Sequence, residues 1–405
     1  MRNAQCTIDN AQPRHNGFVI RCIVKLGFII LSFKFSDYKS APAKTENYQH
    51  VKDVKNKKIW NDYQKEIADD NYFYERSCIR QTFFPGSEAA LLNIMRNVLG
   101  KDIYDEPNLH TCTGIGYHTD IVPFETTMTV VARILALMKE AGYENFVPSC
   151  VTSFGLFTEI TEEWKNHPEL LEKTLETLYK ATGRTFEQPK NIAHPSDLFF
   201  KFRFELKDKM KYSLTNRFTG KPLRVVDHIG CHYAKTFPQY GIGGAEFPRV
   251  LSGMVEAWGG TTIDYPERRH CCGFGFRQYL VQANRGYSIA NTKKKFESME
   301  PYEPDFIVAN CPGCTMFLDK WQYTIAEMEN KTYDKKGYGI PVLTYEEMAG
   351  LLLGFDPWTL GLQLHQVQAE RLLDKIGIPY NPDDKYKGIS GKILPKPEKP
   401  NNLLV

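Results

Sequence analysis

Along most of this 405-residue chain, short apolar runs alternate with longer stretches whose apolar residues recur every three or four positions. The first pattern predicts strands and the second amphipathic helices. Thr82-Phe83-Phe84 reads as a strand, Pro85-Gly86-Ser87 as a turn, and Glu88 to Leu99 as a helix ending at Gly100, with folding proper starting near Tyr72. Glu125 to Ala141 carries Val130, Val131, Ile134, Leu135 and Met138 on overlapping helical faces and stops at Gly142. Phe146-Val147 follows as a strand leading into Ser149-Cys150, and Leu156 to Tyr179 as further helix with Gly183 near its end.

The second half repeats the plan. Leu223 to Ile229 reads as strand, Phe247 to Trp258 as helix, Thr261 to Tyr265 as strand, Phe276 to Met299 as helix, Asp305 to Ala309 as strand and Cys314 to Met328 as helix. Such alternation predicts parallel sheets covered by helices. The expected fold is therefore α/β, with two pseudo-repeated lobes at 72–185 and 186–350. An extension and linker (1–71) precede them, and a C-terminal helix with a Pro- and Lys-rich tail (351–405) follows. The length suits two domains plus extensions at roughly 150 residues each.

Ala41 to Asp70 is polar and lysine-rich, which reads as linker with one short helix. Gly17 to Phe33 is the one membrane-like stretch, but it is too short to span and is interrupted by Arg21 and Lys25. No small-residue cleavage site follows it cleanly, so a signal peptide is not expected either. Residues 1 to about 46 read as an untypical extension, with a surface-bound amphipathic segment as the alternative.

Fifty-one basic against 48 acidic residues give a net charge of +3, with no chain-wide footprint for nucleic acid. The cysteines say more. Five of the ten fall between Cys231 and Cys314, two of them adjacent and two as Cys-x-x-Cys. A secreted disulfide scaffold is usually shorter and denser in cysteine, so a reducing compartment, the cytoplasm, is expected.

Thirty-nine residues separate Cys231 from Cys271, and 38 separate Cys272 from Cys311. Each gap is long enough for one helix-containing crossover. Cys231 and Cys311 directly follow predicted strands, where ligands gather in open α/β sheets. Thiolates hold iron-sulfur clusters, and Cys-x-x-Cys offers a two-ligand bite. Structural zinc, a thioredoxin-like dithiol at Cys311-Cys314 and inert buried thiols are the alternatives. Zinc leaves one thiol over and a dithiol leaves three unused, so spacing favours a cluster.

Gly230-Cys231, His270-Cys271-Cys272-Gly273 and Asn310-Cys311-Pro312-Gly313-Cys314 together resemble one complete CCG cysteine-rich motif of the heterodisulfide reductase B subunit. Pro341-Val342-Leu343-Thr344 with the helix Glu346 to Gly354, and Leu360-Gly361-Leu362 before His365, extend the resemblance over about residues 80 to 370. The resemblance implies one non-cubane four-iron four-sulfur cluster, with Cys231, Cys271, Cys272, Cys311 and Cys314 as its metal ligands, acting on a disulfide bond. It also implies two partners of the same enzyme type, a flavoprotein (the A subunit) and a ferredoxin-like protein (the C subunit).

The family usually carries one such motif per lobe. In the first lobe, Ser87 after Phe84-Pro85-Gly86 reads as standing where cysteine is expected, Thr111-Cys112 for the double cysteine, and Cys150-Val151-Thr152-Ser153 for Cys-x-x-Cys. Two thiols, Cys112 and Cys150, fall short of the usual four-cysteine ligation. The first lobe is thus expected to hold no cluster, and to pack and seal the cavity or line it with Ser87, Thr111 or Ser153.

His270 is the candidate proton donor to a leaving thiolate, with a backbone-bonded structural role as the alternative. His228 and His232 also flank the cysteines, and Lys235, Arg268, Arg269 and Arg277 put positive charge near them, Arg268 and Arg269 reading rather as a solvated loop face. Gly114-Ile115-Gly116 and Gly241-Ile242-Gly243-Gly244 lack the spacing of a nucleotide loop and read as turns. The function expected is electron transfer to or from a disulfide, thiol or persulfide in a cytoplasmic heterodisulfide-reductase-like complex, with no membrane span and no nucleic acid. The rivals are a docking subunit with a structural cluster and, more weakly, a zinc protein.

Overall fold

The computed structural model describes residues 66–109, 114–233, 240–244, 248–274, 285–328 and 339–380. The Gly17–Phe33 stretch, most of the linker, Thr111, Cys112, Lys235, Arg277 and the tail from 381 lie outside the described residues. Among the described residues, eight strands form two four-stranded parallel sheets. β1 (Tyr72–Glu75), β2 (Ile103–Asp105), β3 (Asn145–Pro148) and β4 (Asn191–Ile192) form the first, in the order β2-β1-β3-β4. β5 (Arg224–His228), β6 (Thr261–Thr262), β7 (Phe306–Ala309) and β8 (Val342–Thr344) form the second, in the order β6-β5-β7-β8. The shared strand order is the pseudo-repeat expected from the sequence.

A parallel sheet with helices on both faces buries its strands on both sides, so they read as unbroken apolar runs. Phe306-Ile307-Val308-Ala309 is entirely buried, as is Tyr72-Phe73-Tyr74. The helices Phe124–Glu140, Pro312–Met328 and Tyr345–Leu353 fall close to their expected places, and Arg285–Met299 is the described part of the helix expected over Phe276 to Met299, residues 275–284 lying outside the described residues.

Four local expectations need correction, one being that Pro85-Gly86-Ser87, read as a turn, opens the helix Pro85–Asn93. Thr82–Phe84 is no strand: Thr82 and Phe83 close the helix Cys78–Phe83, which begins on Ser77, whose Oγ accepts from Arg80 N–H at 3.3 Å. That cap, and the inward pull of the buried Glu346 carboxylate on Arg80, override the strand preference of Thr and Phe. Leu156 to Tyr179 is two helices, Val151–Asn166 and Pro168–Thr182, because Pro168 has no N–H to continue the first and suits the opening turn of the second. Gly114 opens a short helix, Gly114–His118, rather than a turn.

The lobes meet along a polar seam inside the apolar core. The Arg80 guanidinium pairs with the Glu346 carboxylate, both at most 1% exposed, and Ser87 Oγ lies 2.9 Å from Thr344 Oγ1. Thr344 also caps the helix Tyr345–Leu353 in a reciprocal box with Glu347. Behind it, His365 Nε2 sits 3.1 Å from Glu347 Oε1. Asp319 accepts from the backbone N–H groups of Gln366 and Val367 at 2.7 and 2.9 Å.

Burial alone would lower the His365 imidazole, but Glu347 and then Asp319 outweigh it and hold it up at about 9. A pKa raised by folding gives stability that is full below the unfolded value near ~6.5 and fades as pH rises through the folded one. The stability gap between the wild type and His365→Gln should therefore be widest near pH 6 and close above about pH 9. Denaturant unfolding of both proteins across that range reads it, and a gap that widens with pH would contradict the assignment.

Candidate metal centre

The two central strands of the second sheet deliver the thiols. β5 ends at His228, and three residues on Cys231 opens the single turn Cys231–Tyr233. β7 ends at Ala309, two residues before Cys311, and Cys314 lies in the first turn of Pro312–Met328. The adjacent pairing of β5 with β7, His228 opposite Ala309, sets these turns side by side. Cys271-Cys272 arrives on the loop beyond β6. All five cysteines line one cavity, and Cys272 Sγ stands 3.3 Å from Cys314 Sγ. Val151 and Thr152 of the first lobe complete its wall.

One face of the helix Arg285–Met299 grips the double-cysteine loop by its backbone. Asn291 Nδ2 donates to the Cys271 carbonyl at 3.1 Å and Thr292 Oγ1 to that of Cys272 at 2.6 Å. The buried Lys295 ammonium donates to the carbonyls of Glu267, Arg268 and His270 at 2.9, 3.2 and 3.2 Å. Positions 288, 291, 292 and 295 form a helical stripe, and the loop presses so close to it that a Cβ on Gly273 would lie 2.5 Å from the Ser288 carbonyl oxygen. Gly273 also holds φ at +100°, so both space and backbone require glycine after the cysteine pair. Sequence reasoning missed this stripe. Its signal was the spacing of Ser288, Asn291, Thr292 and Lys295 on a helix whose inward face should have been apolar.

The sulfurs are too crowded to ionise together. Hydrogen bonds to neighbouring sulfurs, with burial behind them, push Cys231, Cys272 and Cys314 up, while the bonds accepted by Cys271 and Cys311 pull those two down. Five soft donors, three buried and Cys231 and Cys271 half-buried, that repel one another as thiolates suit a polynuclear cationic core, and iron-sulfur chemistry fits this donor set. A tetrahedral zinc ion would use four of the five.

His270 also lines the cavity, yet both its nitrogens are engaged. Nε2 contacts Asn291 Oδ1, and Nδ1 lies 3.3 Å from Glu267 Oε2. Arg268 is not on a solvated face: it is 7% exposed, with Nε and Nη1 at 2.7 and 2.8 Å from Asp227 and Asp264. It ties the cysteine loop to β5. Arg269 lines the cavity, as do His228 and His232.

The cysteine-rich domain family CCG matches residues 225–319, the segment that carries these thiols. The chain is 27% identical over 322 residues to the B subunit of the ferredoxin:CoB-CoM heterodisulfide reductase of Methanosarcina acetivorans, covering 77% of this chain and 98% of that one. With the B subunit of the same enzyme from Methanosarcina mazei it shares 28% over 299 residues, 74% and 94% of the two chains. Over about three quarters of its length the chain is thus similar to heterodisulfide reductase B subunits. In fold it is similar to a hypothetical protein from Helicobacter pylori, with a TM-score of 0.51 at 12% identity over 82% of this chain and 58% of the other.

Strand register corrects the alignment of the family motif in the first lobe. Cys150 and Cys311 each follow by two residues the last strand partners, Pro148 and Ala309, of Glu75 and His228. Counting three residues on from Glu75 and His228 reaches Cys78 and Cys231. The counterpart of Cys231 is therefore Cys78, and Ser87 lies in the seam instead. By the same count Cys112 stands nine residues beyond Ile103, as Cys271 stands beyond Thr262, so Cys112-Thr113-Gly114 matches Cys271-Cys272-Gly273. The first motif keeps three thiols, Cys78, Cys112 and Cys150, with Thr113 and Ser153 in the other two places. The missing signal was Ser77-Cys78 just past an unrecognised strand.

Proposed function

We propose that this chain is the iron-sulfur redox subunit of a heterodisulfide-reductase-like complex, an oxidoreductase acting on sulfur groups, in which Cys231, Cys271, Cys272, Cys311 and Cys314 hold one non-cubane four-iron four-sulfur cluster. The convergence of all five on one cavity in the second lobe (186–350) carries this reading. When bound, such a cluster supplies electrons at sulfur. The protein's own residues place the thiols, line the cavity with Val151 and Thr152 of the first lobe (72–185, joined by β4 from beyond that boundary), and put Arg269 at its side to attract an anionic thiol or disulfide, while His270 would supply a proton to a leaving thiolate only on releasing Asn291 or Glu267. The first motif, two thiols short, holds no cluster in this reading.

The partners proposed are a ferredoxin-like protein, in keeping with the names of the methanogen enzymes, and a flavoprotein. The reaction partner is a small thiol, disulfide or persulfide in the cytoplasm. No helix of the described residues is long and apolar enough to cross a membrane.

Anaerobic reconstitution should give about four irons and four acid-labile sulfides per chain. Cys272→Ser, nearly isosteric but with a hydroxyl that stays protonated, should lose most of that iron while the lobe stays folded. Twice the iron in the wild type would mean a second cluster in the first lobe, and zinc in place of iron would end the redox reading. Reduced protein that is not reoxidised by any added disulfide would leave only a structural cluster.

A further inference from the structure

Beyond the five cysteines, the cavity holds a sixth donor that the motif does not assign. His228, the last residue of β5, is 2% exposed and lines the cavity. One of its ring nitrogens and the sulfurs of Cys272 and Cys314 all lie within 4.8 Å of one another. The three arrive from separate segments: the end of β5, the loop beyond β6, and the first turn of Pro312–Met328. Neutral imidazole among thiolates makes a mixed nitrogen and sulfur donor set, and exchange of a thiolate for imidazole is an established way to raise the potential of an iron-sulfur centre. Strand register places Glu75 at the matching point of the first lobe, also buried and also ending the central strand. The position thus carries a side chain with a donor atom in both repeats.

We propose that His228 is a nitrogen ligand of the metal centre, bound on its Cys272–Cys314 side, so that the chain supplies five sulfurs and one nitrogen. The proposal rests on the reading that this cavity holds the iron-sulfur centre. It is independent of whether the chain acts on a disulfide, because it concerns the donor set alone.

The test uses the full chain in two forms, as wild type, His228→Gln and His228→Leu. Metal-free protein titrated with Co²⁺ should develop thiolate-to-cobalt charge-transfer bands. Both variants should bind at least about tenfold more weakly, with displaced ligand-field bands. In the cluster-loaded, paramagnetic state, pulsed EPR should detect a strongly coupled nitrogen that moves to the ¹⁵N frequency when histidine is labelled and is absent from both variants. Glutamine keeps a polar amide at the site, so a merely structural histidine should be rescued by it in folding and in both spectra. Thiolate bands that superimpose across the three proteins, or a wild type without strongly coupled nitrogen, would remove His228 from the donor set and leave the cavity reading standing. Absence of thiolate bands from wild type itself would overturn both together.

Discussion

Replacing Arg80 by methionine should destabilise the protein by about 3–5 kcal/mol, because it strands the Glu346 carboxylate in the seam between the lobes. Both partners are essentially without solvent contact, and burial already raises the Glu346 carboxyl, with Arg80 opposing that rise. Methionine keeps much of the side-chain volume, so the loss should come mainly from electrostatics rather than from a cavity. Further replacement of Glu346 by glutamine should recover a good part of it, since a neutral amide is far cheaper to bury than an unpaired charge. Thermal and denaturant unfolding of the single and double variants reads both effects. An Arg80→Met protein within about 1 kcal/mol of wild type would mean the pair is worth no more than an exposed one.

Lys295→Met should show its largest effect in metal retention. The ammonium is the donor to three carbonyls that frame the cysteine loop, and leaving buried acceptors unmatched costs about 1–3 kcal/mol each. Burial pushes the Lys295 ammonium down, and the charge on Cys272, Cys314 and Cys271 holds it up, so cation and sulfur charge support one another. Without it the reconstituted protein should lose iron faster to a chelator, and whatever centre remains should have a more negative reduction potential, since the reduced, more anionic state loses a neighbouring positive charge. Lys295→Arg, which keeps the charge, should fall between. Unchanged iron retention and potential in Lys295→Met would show that the helix stripe holds the loop without help from the charge.

What the sequence disclosed and what it hid have different physical origins. The cysteine spacing sufficed for the second lobe because a crossover of nearly 40 residues between strand ends leaves the chain little choice of where Cys231, Cys271 and Cys311 return. Helix periodicity at Glu125 to Ala141 was equally plain, since Met128, Val131, Leu135 and Met138 recur at helical spacing and are all buried. Thr82–Phe84 misled because β-branched and aromatic residues favour strands locally, whereas the Ser77 cap and the buried partner of Arg80 act from outside the window. The first motif was misaligned for the same reason: with the strand placed at 82–84 instead of 72–75, Cys78 fell before the strand rather than after it, and Ser87 took its place. The polar stripe of Asn291, Thr292 and Lys295 could be read from its spacing, but not what it grips, because it binds carbonyl oxygens, which every residue has.

The packing of the first lobe against the cysteine turn also bears on the order in which the protein is made. A Cβ on Gly155, in the helix Val151–Asn166, would meet His232 Cβ at 2.9 Å, so that helix and the turn carrying Cys231 are in direct contact. During synthesis domains tend to fold from the N-terminal side as the chain emerges, and the helix Val151–Asn166 leaves the ribosome well before Cys271, Cys272, Cys311 and Cys314. The turn carrying Cys231 thus has to form against a surface made earlier, the same side on which Val151 and Thr152 line the cysteine cavity.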